Sequence, residues 1–129
     1  MKTLKPYLIF SGDCEEALLL YSSCLDGEII TLQRYSESPL DLAEEHGNRV
    51  FNSVFRAEGV ELMASDDLPD EPVKKGTNFA MFVTFPSEEE QAGSFAKLSE
   101  GGRILMPLQN GFGMLEDRFQ VRWMLAVHG

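Results

Sequence analysis

Histidine is scarce in this chain: His46 and His128 are the only two, one in an acidic loop and one beside the last residue. A base for a serine or cysteine nucleophile is therefore hard to place. Cysteine is equally sparse. Cys14 and Cys24 lie ten positions apart in one expected helix, a span of about 15 Å, too far for a disulfide. Both read as buried thiols in a reducing compartment, Cys14 as a structural residue rather than a nucleophile. No run approaches the ~20 apolar residues of a membrane span. MKTLKPYLIF carries Lys5 and too short an apolar run for a signal peptide, so the expected location is cytoplasmic, away from membranes. Basic residues are also few, 11 against 21 acids for a net charge of −10. That balance argues against nucleic acid as a partner. No glycine-rich nucleotide turn follows the first strand, where Ser11-Gly12-Asp13 stands instead.

What is present reads as strands and two helices in order. LKPYLIF (4–10) is β-prone with Pro6 near its start, where a proline is tolerated. Asp13 is the expected N-cap of a helix carrying Ala17, Leu18, Leu20, Tyr21, Cys24 and Leu25 at helical spacing, with Gly27 as its stop. EIITLQRY (28–35) is a strand, and 36–48 is a loop with a helical turn at Leu40–Glu45. RVFNSVFR (49–56) and VELMAS (60–65) form a hairpin, with Asp66 and Asp67 as turn formers after it. Residues 66–76, with two prolines and six charges, form the linker.

The order then repeats. TNFAMFVTF (77–85) is a strand, and Ser87 caps a helix that opens with Glu88–Glu90 and stops at Gly101-Gly102. RILMPL (103–108), GMLEDRF (113–119) and VRWMLAV (121–127) are strands. The two halves align at an offset of 74–75 residues, Tyr21 falling near Phe95 and Gly27 near Gly102. One such half would leave a sheet face uncovered. The expected fold is therefore α+β: a single domain of two βαβββ modules, about 1–66 and 77–129. The sheets form a curved, partly open mixed-sheet barrel with the helices outside and a cleft within.

PYLIFSGDCEEALLLY, LMASDD, GGRILMPLQ and GMLEDRFQVRWM, in that order along nearly the whole chain, resemble the PhnB-like branch of the vicinal oxygen chelate superfamily. The superfamily includes glyoxalase I, extradiol dioxygenases, and bleomycin and fosfomycin resistance proteins. Many relatives carry a methyltransferase label, which this sequence does not support. The resemblance implies a homodimer, and in the enzymes a divalent metal held by His and Glu from the first and last strands of each half. Here the first position falls at Pro6 and the second at Glu61. The third falls at Asn78 or Phe79, and the fourth at Arg122, Trp123 or Met124. Asn52 stands where relatives often carry a His, so Glu61 is the one plausible ligand retained and no cofactor is expected. His46 reads as a solvated loop residue.

Strand alternation leaves two orientations for Glu61. With Leu62 inward it points outward, beside Arg56 or Arg122; with Glu61 inward, Met63 and Ser65 join it in the cleft. Arg118 and Arg122 are expected to pair with Glu116 or Asp117, although an inward Arg122 could hold an anion. Among the strand aromatics, Tyr7 and Trp123 are the expected cleft walls. The candidate binding residues are thus Tyr7, Asn52, Glu61, Met63, Asn78, Arg122 and Trp123. Asn110-Gly111 makes a two-residue hairpin where relatives carry a loop some five or six residues longer. The resulting expectation is a small-molecule-binding cleft without a competent metal centre. The alternatives are a lyase, isomerase or dioxygenase with an atypical ligand set, and a structural or regulatory protein whose cleft its own Met and Phe side chains fill.

Overall fold

The structure is a computed structural model that describes residues 1–40, 43–68 and 73–128. Its contacts divide the chain into two compact units, Met1–Lys74 and Lys75–Gly129. The first contains β1 (Tyr7–Phe10), α1 (Cys14–Leu25), β2 (Glu28–Arg34), β3 (Val50–Ala57) and β4 (Val60–Asp66). The second contains β5 (Met81–Phe85), α2 (Glu88–Ser99), β6 (Arg103–Gln109), β7 (Phe112–Glu116) and β8 (Arg122–Val127). The sheets are ordered β1-β4-β3-β2 and β5-β8-β7-β6. In each, the first and last strands of the module run parallel and the other pairs are antiparallel. The fold class is α+β, two βαβββ modules of identical topology, as the repeat implied.

Each sheet buries one face under its own helix, following the two-residue period of strands. In the first module Leu8, Phe10, Phe55, Leu62 and Ala64 are buried, as are Ala17, Leu18, Tyr21 and Cys24 of α1. In the second, Leu115, Trp123 and Leu125 are buried, with Phe95 and Leu98 from α2. Each such large apolar side chain contributes roughly 1.5–3 kcal/mol when fully buried. The opposite face of each sheet, here the open face, keeps Tyr7, Ile9, Phe82 and Met106 exposed.

The helices start in different ways. Ser87 caps α2 as expected, its Oγ accepting from Glu90 N at 3.2 Å. Asp13 does not cap α1: its side chain makes no capping bond. The cap comes from the far end of the module, where Asp66 Oδ1 accepts from Gly12 N (2.8 Å) and Cys14 N (3.0 Å). Helix ends match across the repeat. Asp26 and Gly101 take the left-handed conformation at φ 53° and 75°. The glycine after each is needed for space: a Cβ on Gly27 would lie 2.5 Å from Phe55 Cζ, and one on Gly102 would lie 2.1 Å from Glu116 O.

Four expected segments are shorter or displaced. β5 begins at Met81 rather than 77, because its paired neighbour β8 begins only at Arg122, one residue before Met81's partner Trp123. β7 ends at Glu116, since the Asp117 carboxylate accepts from Phe119 N and Val121 N and turns the chain. In the 36–48 loop, short 3-10 turns form at Tyr35–Glu37 and Glu44–His46. Asp41 and Leu42, inside the expected turn at Leu40–Glu45, lie outside the described residues. Strand β4 runs on through Asp66, so the expected linker starts later than its composition suggested.

Candidate functional site

On the open face of the first sheet, strand register lines up Tyr7, Met63, Val54 and Thr31 across all four strands. The neighbouring row is charged. Glu61 stands opposite Arg56, which stands opposite Glu28, and Lys5 reaches in from ahead of β1. Glu61 faces the same side as Met63, opposite the buried Leu62. It stands beside Arg56, a partner named for the outward orientation, and the carboxylate is fully engaged. Lys5 Nζ lies 2.6 Å from Oε2, while Arg56 Nε and Nη2 donate to Oε1 at 2.9 and 2.6 Å. Lys5 first and Arg56 second hold its carboxyl below the usual carboxylate range. Asn52 pairs with Gln33 on β2 and is half-buried.

The open face of the second sheet has the same plan with a different content. Phe82, Met124, Met114 and Met106 form the row equivalent to Tyr7–Met63–Val54–Thr31. The charged row beside it is Arg122, Glu116 and Arg103. Arg122 thus occupies the place that Glu61 has in the first module. It pairs with Glu116 as expected, Nε to Oε2 at 3.3 Å, and Arg103 Nε reaches Oε1 at 3.3 Å.

Two expected site residues, the wall residue Trp123 and the ligand-position residue Asn78, lie elsewhere. Trp123 lies on the helix-covered face, 1% exposed, with Nε1 donating to Asp117 Oδ2 at 3.0 Å. Its side chain packs in the core and cannot line the open face; Phe82, 60% exposed, is the aromatic that does. Because Met124 and Trp123 are both apolar, alternation alone could not fix which faced the helix. Asn78 precedes β5 on an exposed segment, outside the strand where a ligand position was expected. His46 sits 3.5 Å from Glu45, and His128 Nε2 is 3.2 Å from Thr84 Oγ1. Among the described residues Arg118 makes no ion pair with either expected acid; it lies over the Phe119 ring at 4.7 Å.

Sequence reasoning missed the most connected polar group. Asp66 is 2% exposed, and besides α1 it accepts from Val50 N at 2.8 Å. Its neighbour Asp67 bonds Ser11 Oγ, Val73 N and the Arg49 guanidinium. A buried acid pair closing an apolar strand was the available signal. Burial, with Asp66 the next cause, pushes the adjacent Cys14 thiol up to about 12, so the residue is structural.

In the second module Gln91 Nε2 donates to Gly111 O (3.0 Å) and Leu125 O (2.9 Å), pinning the short hairpin to α2. Asn110 and Gly111 have φ of 53° and 77°, the paired positive values of a tight hairpin turn.

A divalent metal of the kind the superfamily implies does not fit these residues. Among the described residues no three His, Cys, Asp or Glu side chains come together to hold an ion. The one carboxylate at a ligand position is bound by two cations, and its counterpart is an arginine.

A family model described as 3-demethylubiquinone-9 3-methyltransferase matches residues 2–126. The crystal structure of PA1353 from Pseudomonas aeruginosa is similar at 31% identity and a TM-score of 0.90, over 99% of this chain and 98% of that one. A PhnB protein from Bacillus cereus shares 31% identity at a TM-score of 0.84, over 98% and 100%. The fosfomycin resistance protein FosX from Listeria monocytogenes shares the fold alone: 12% identity, TM-score 0.65, over 99% and 92%. With its duplicated βαβββ topology and these likenesses, the chain belongs to the family described as 3-demethylubiquinone-9 3-methyltransferase, in the PhnB-like branch of the vicinal oxygen chelate superfamily.

Proposed function

We propose that this protein is a small-molecule binder of the glyoxalase and bleomycin-resistance type that works without a metal centre. One observation carries this reading. The equivalent positions on the last strands of the two modules hold Glu61, ion-paired to Lys5 and Arg56, and Arg122, a cation. A metal at Glu61 would have to displace two cations from one carboxylate. The exposed apolar rows beside these charges supply the contact area a small ligand needs.

Methyl transfer from a nucleotide-like donor is not part of the proposal, although the family's description names it. Anionic groups of such donors commonly sit at the N-terminus of the first helix. Here the Asp66 carboxylate occupies the α1 N-terminus and takes the Gly12 and Cys14 N–H groups. The proposed assembly is a homodimer in a reducing, cytoplasmic setting. The four edge strands β1, β2, β5 and β6 and the large exposed apolar side chains are surfaces a second copy could cover.

The test is metal content by mass spectrometry on protein purified without chelator, followed by nickel and manganese titration of wild type and Glu61→Ala. The expected result is no stoichiometric metal and no binding heat at millimolar ion. About one ion per chain, lost in Glu61→Ala, would overturn the proposal. Sedimentation at several concentrations checks the dimer, which a single species near 14.5 kDa would refute.

A further inference from the structure

We propose that the open face of the second sheet binds a small amphipathic organic anion, its charge on Arg122 and Arg103 and its apolar body on the Met/Phe row. This rests on the binding reading above and names the class of ligand. The two modules carry equivalent charged rows, but with different balances. In the first, Lys5 and Arg56 face Glu61 and Glu28, two cations to two carboxylates, and Glu61 takes short bonds from both cations. In the second, two arginines share one carboxylate. Each gives Glu116 only its Nε, at 3.3 Å, so the terminal nitrogens of both guanidinium forks are not spent on it. One positive charge is in excess there, and the fork geometry suits a carboxylate or phosphate oxygen pair.

The next row along the strands is Phe82, Met124, Met114 and Met106, with Phe82 60% and Met106 50% exposed. Rows on one strand face lie about 7 Å apart, so a charged group on the arginines places a body several carbons long over this row. Methionine side chains adapt to irregular apolar shapes at little cost. A chain of net charge −10 repels anions at long range. An anion retained by this protein must therefore be held by local groups, and this row carries an unbalanced cation on an open apolar face.

The probes are 4-phenylbutyrate and its uncharged counterpart 4-phenylbutanamide, titrated into protein carrying 13C-methyl methionine. The expected result is movement of the Met106, Met114 and Met124 methyl signals with Met63 still, and carboxylate binding about tenfold tighter than the amide. Arg122→Gln should erase that preference. Glu116→Gln, which removes the competing carboxylate, should tighten the carboxylate severalfold, a gain that damage to the fold would not produce. Equal binding of the two compounds would overturn the ligand class and leave the binding reading standing. Movement confined to Met63 would overturn the location. Silence of all the methyls with both compounds would overturn this inference, while the metal titration above decides independently whether the protein works without a metal centre.

Discussion

Asp66 shows how one side chain can organise a module. Its two oxygens accept from three backbone N–H groups, two at the start of α1 and one at the start of β3, and its carbonyl accepts from Tyr35 Oη at 3.0 Å. Removing it strands two buried donors, at Cys14 and Val50, and a part-buried one at Gly12, each buried donor costing on the order of 1–3 kcal/mol. Asp66→Ala should therefore lower stability by about 3 kcal/mol or more. Ser87→Ala, which loses one exposed capping bond, should cost only about 1 kcal/mol. Urea midpoints for the two variants check the contrast; equal losses would mean that α1 is held by its packing rather than by Asp66. The sequence could not show this. A helix start is legible when its cap is local, as at Ser87, and illegible when a strand 52 residues away supplies it, as Asp66 does for Cys14.

At the scale of elements, the repeat lies in spacing more than in residue type. Asp26-Gly27 and Gly101-Gly102 serve the same two roles, a left-handed residue and then a glycine pressed against the third strand of its module. The obstruction differs. On Gly27 a Cβ would meet the tip of the Phe55 ring at 2.5 Å and the backbone oxygen of Arg56 at 2.8 Å, whereas on Gly102 it would lie 2.1 Å from the backbone oxygen of Glu116. Backbone is approached more closely at Gly102, so more of the sheet must give there. Gly102→Ala should then destabilise by about 3 kcal/mol and Gly27→Ala by about 1–2 kcal/mol. Gly93→Ala, inside α2 with open space around the new methyl, should stabilise by up to about 1 kcal/mol. Thermal melts of the three variants test the ordering. Strand existence and the Asn110-Gly111 turn were legible because period and turn chemistry are local properties. Strand ends were less so: β5 starts where its pairing with β8 starts, a fact that no residue in 77–80 announces.

For the molecule as a whole, the charge pattern was legible as a total but not in its placement. Net −10 could be counted from the sequence, yet the sorting of Glu61, Arg56, Glu116 and Arg122 onto open faces depended on which residue of each apolar pair faced the helix. That placement sets the dependence of stability on pH. Glu61 has a folded pKa below its ordinary value near 4.5, so its contribution is present above about 4.5 and is lost as pH falls through the lower, folded value. Cys14 works in the opposite sense. Its folded pKa is raised from 9.0 to about 12, so the unfolded chain ionises first and stability declines from about pH 9 towards about pH 12. The buried Tyr35 hydroxyl, raised by burial and then by Asp66, adds to the same alkaline decline. Between these limits, lowering pH from 8 towards 5 relieves the self-repulsion of an acidic chain. The stability curve should therefore be a plateau leaning to its acid side, with a fall on each flank. Urea midpoints across this range, on wild type, Glu61→Gln and Cys14→Ala, separate the causes. Glu61→Gln should flatten part of the acid flank alone, and Cys14→Ala part of the alkaline flank alone. If Glu61→Gln left the acid flank unchanged, the ion pairs on the open face of the first sheet would contribute nothing to folding, and the carboxylate would be free to serve a ligand instead.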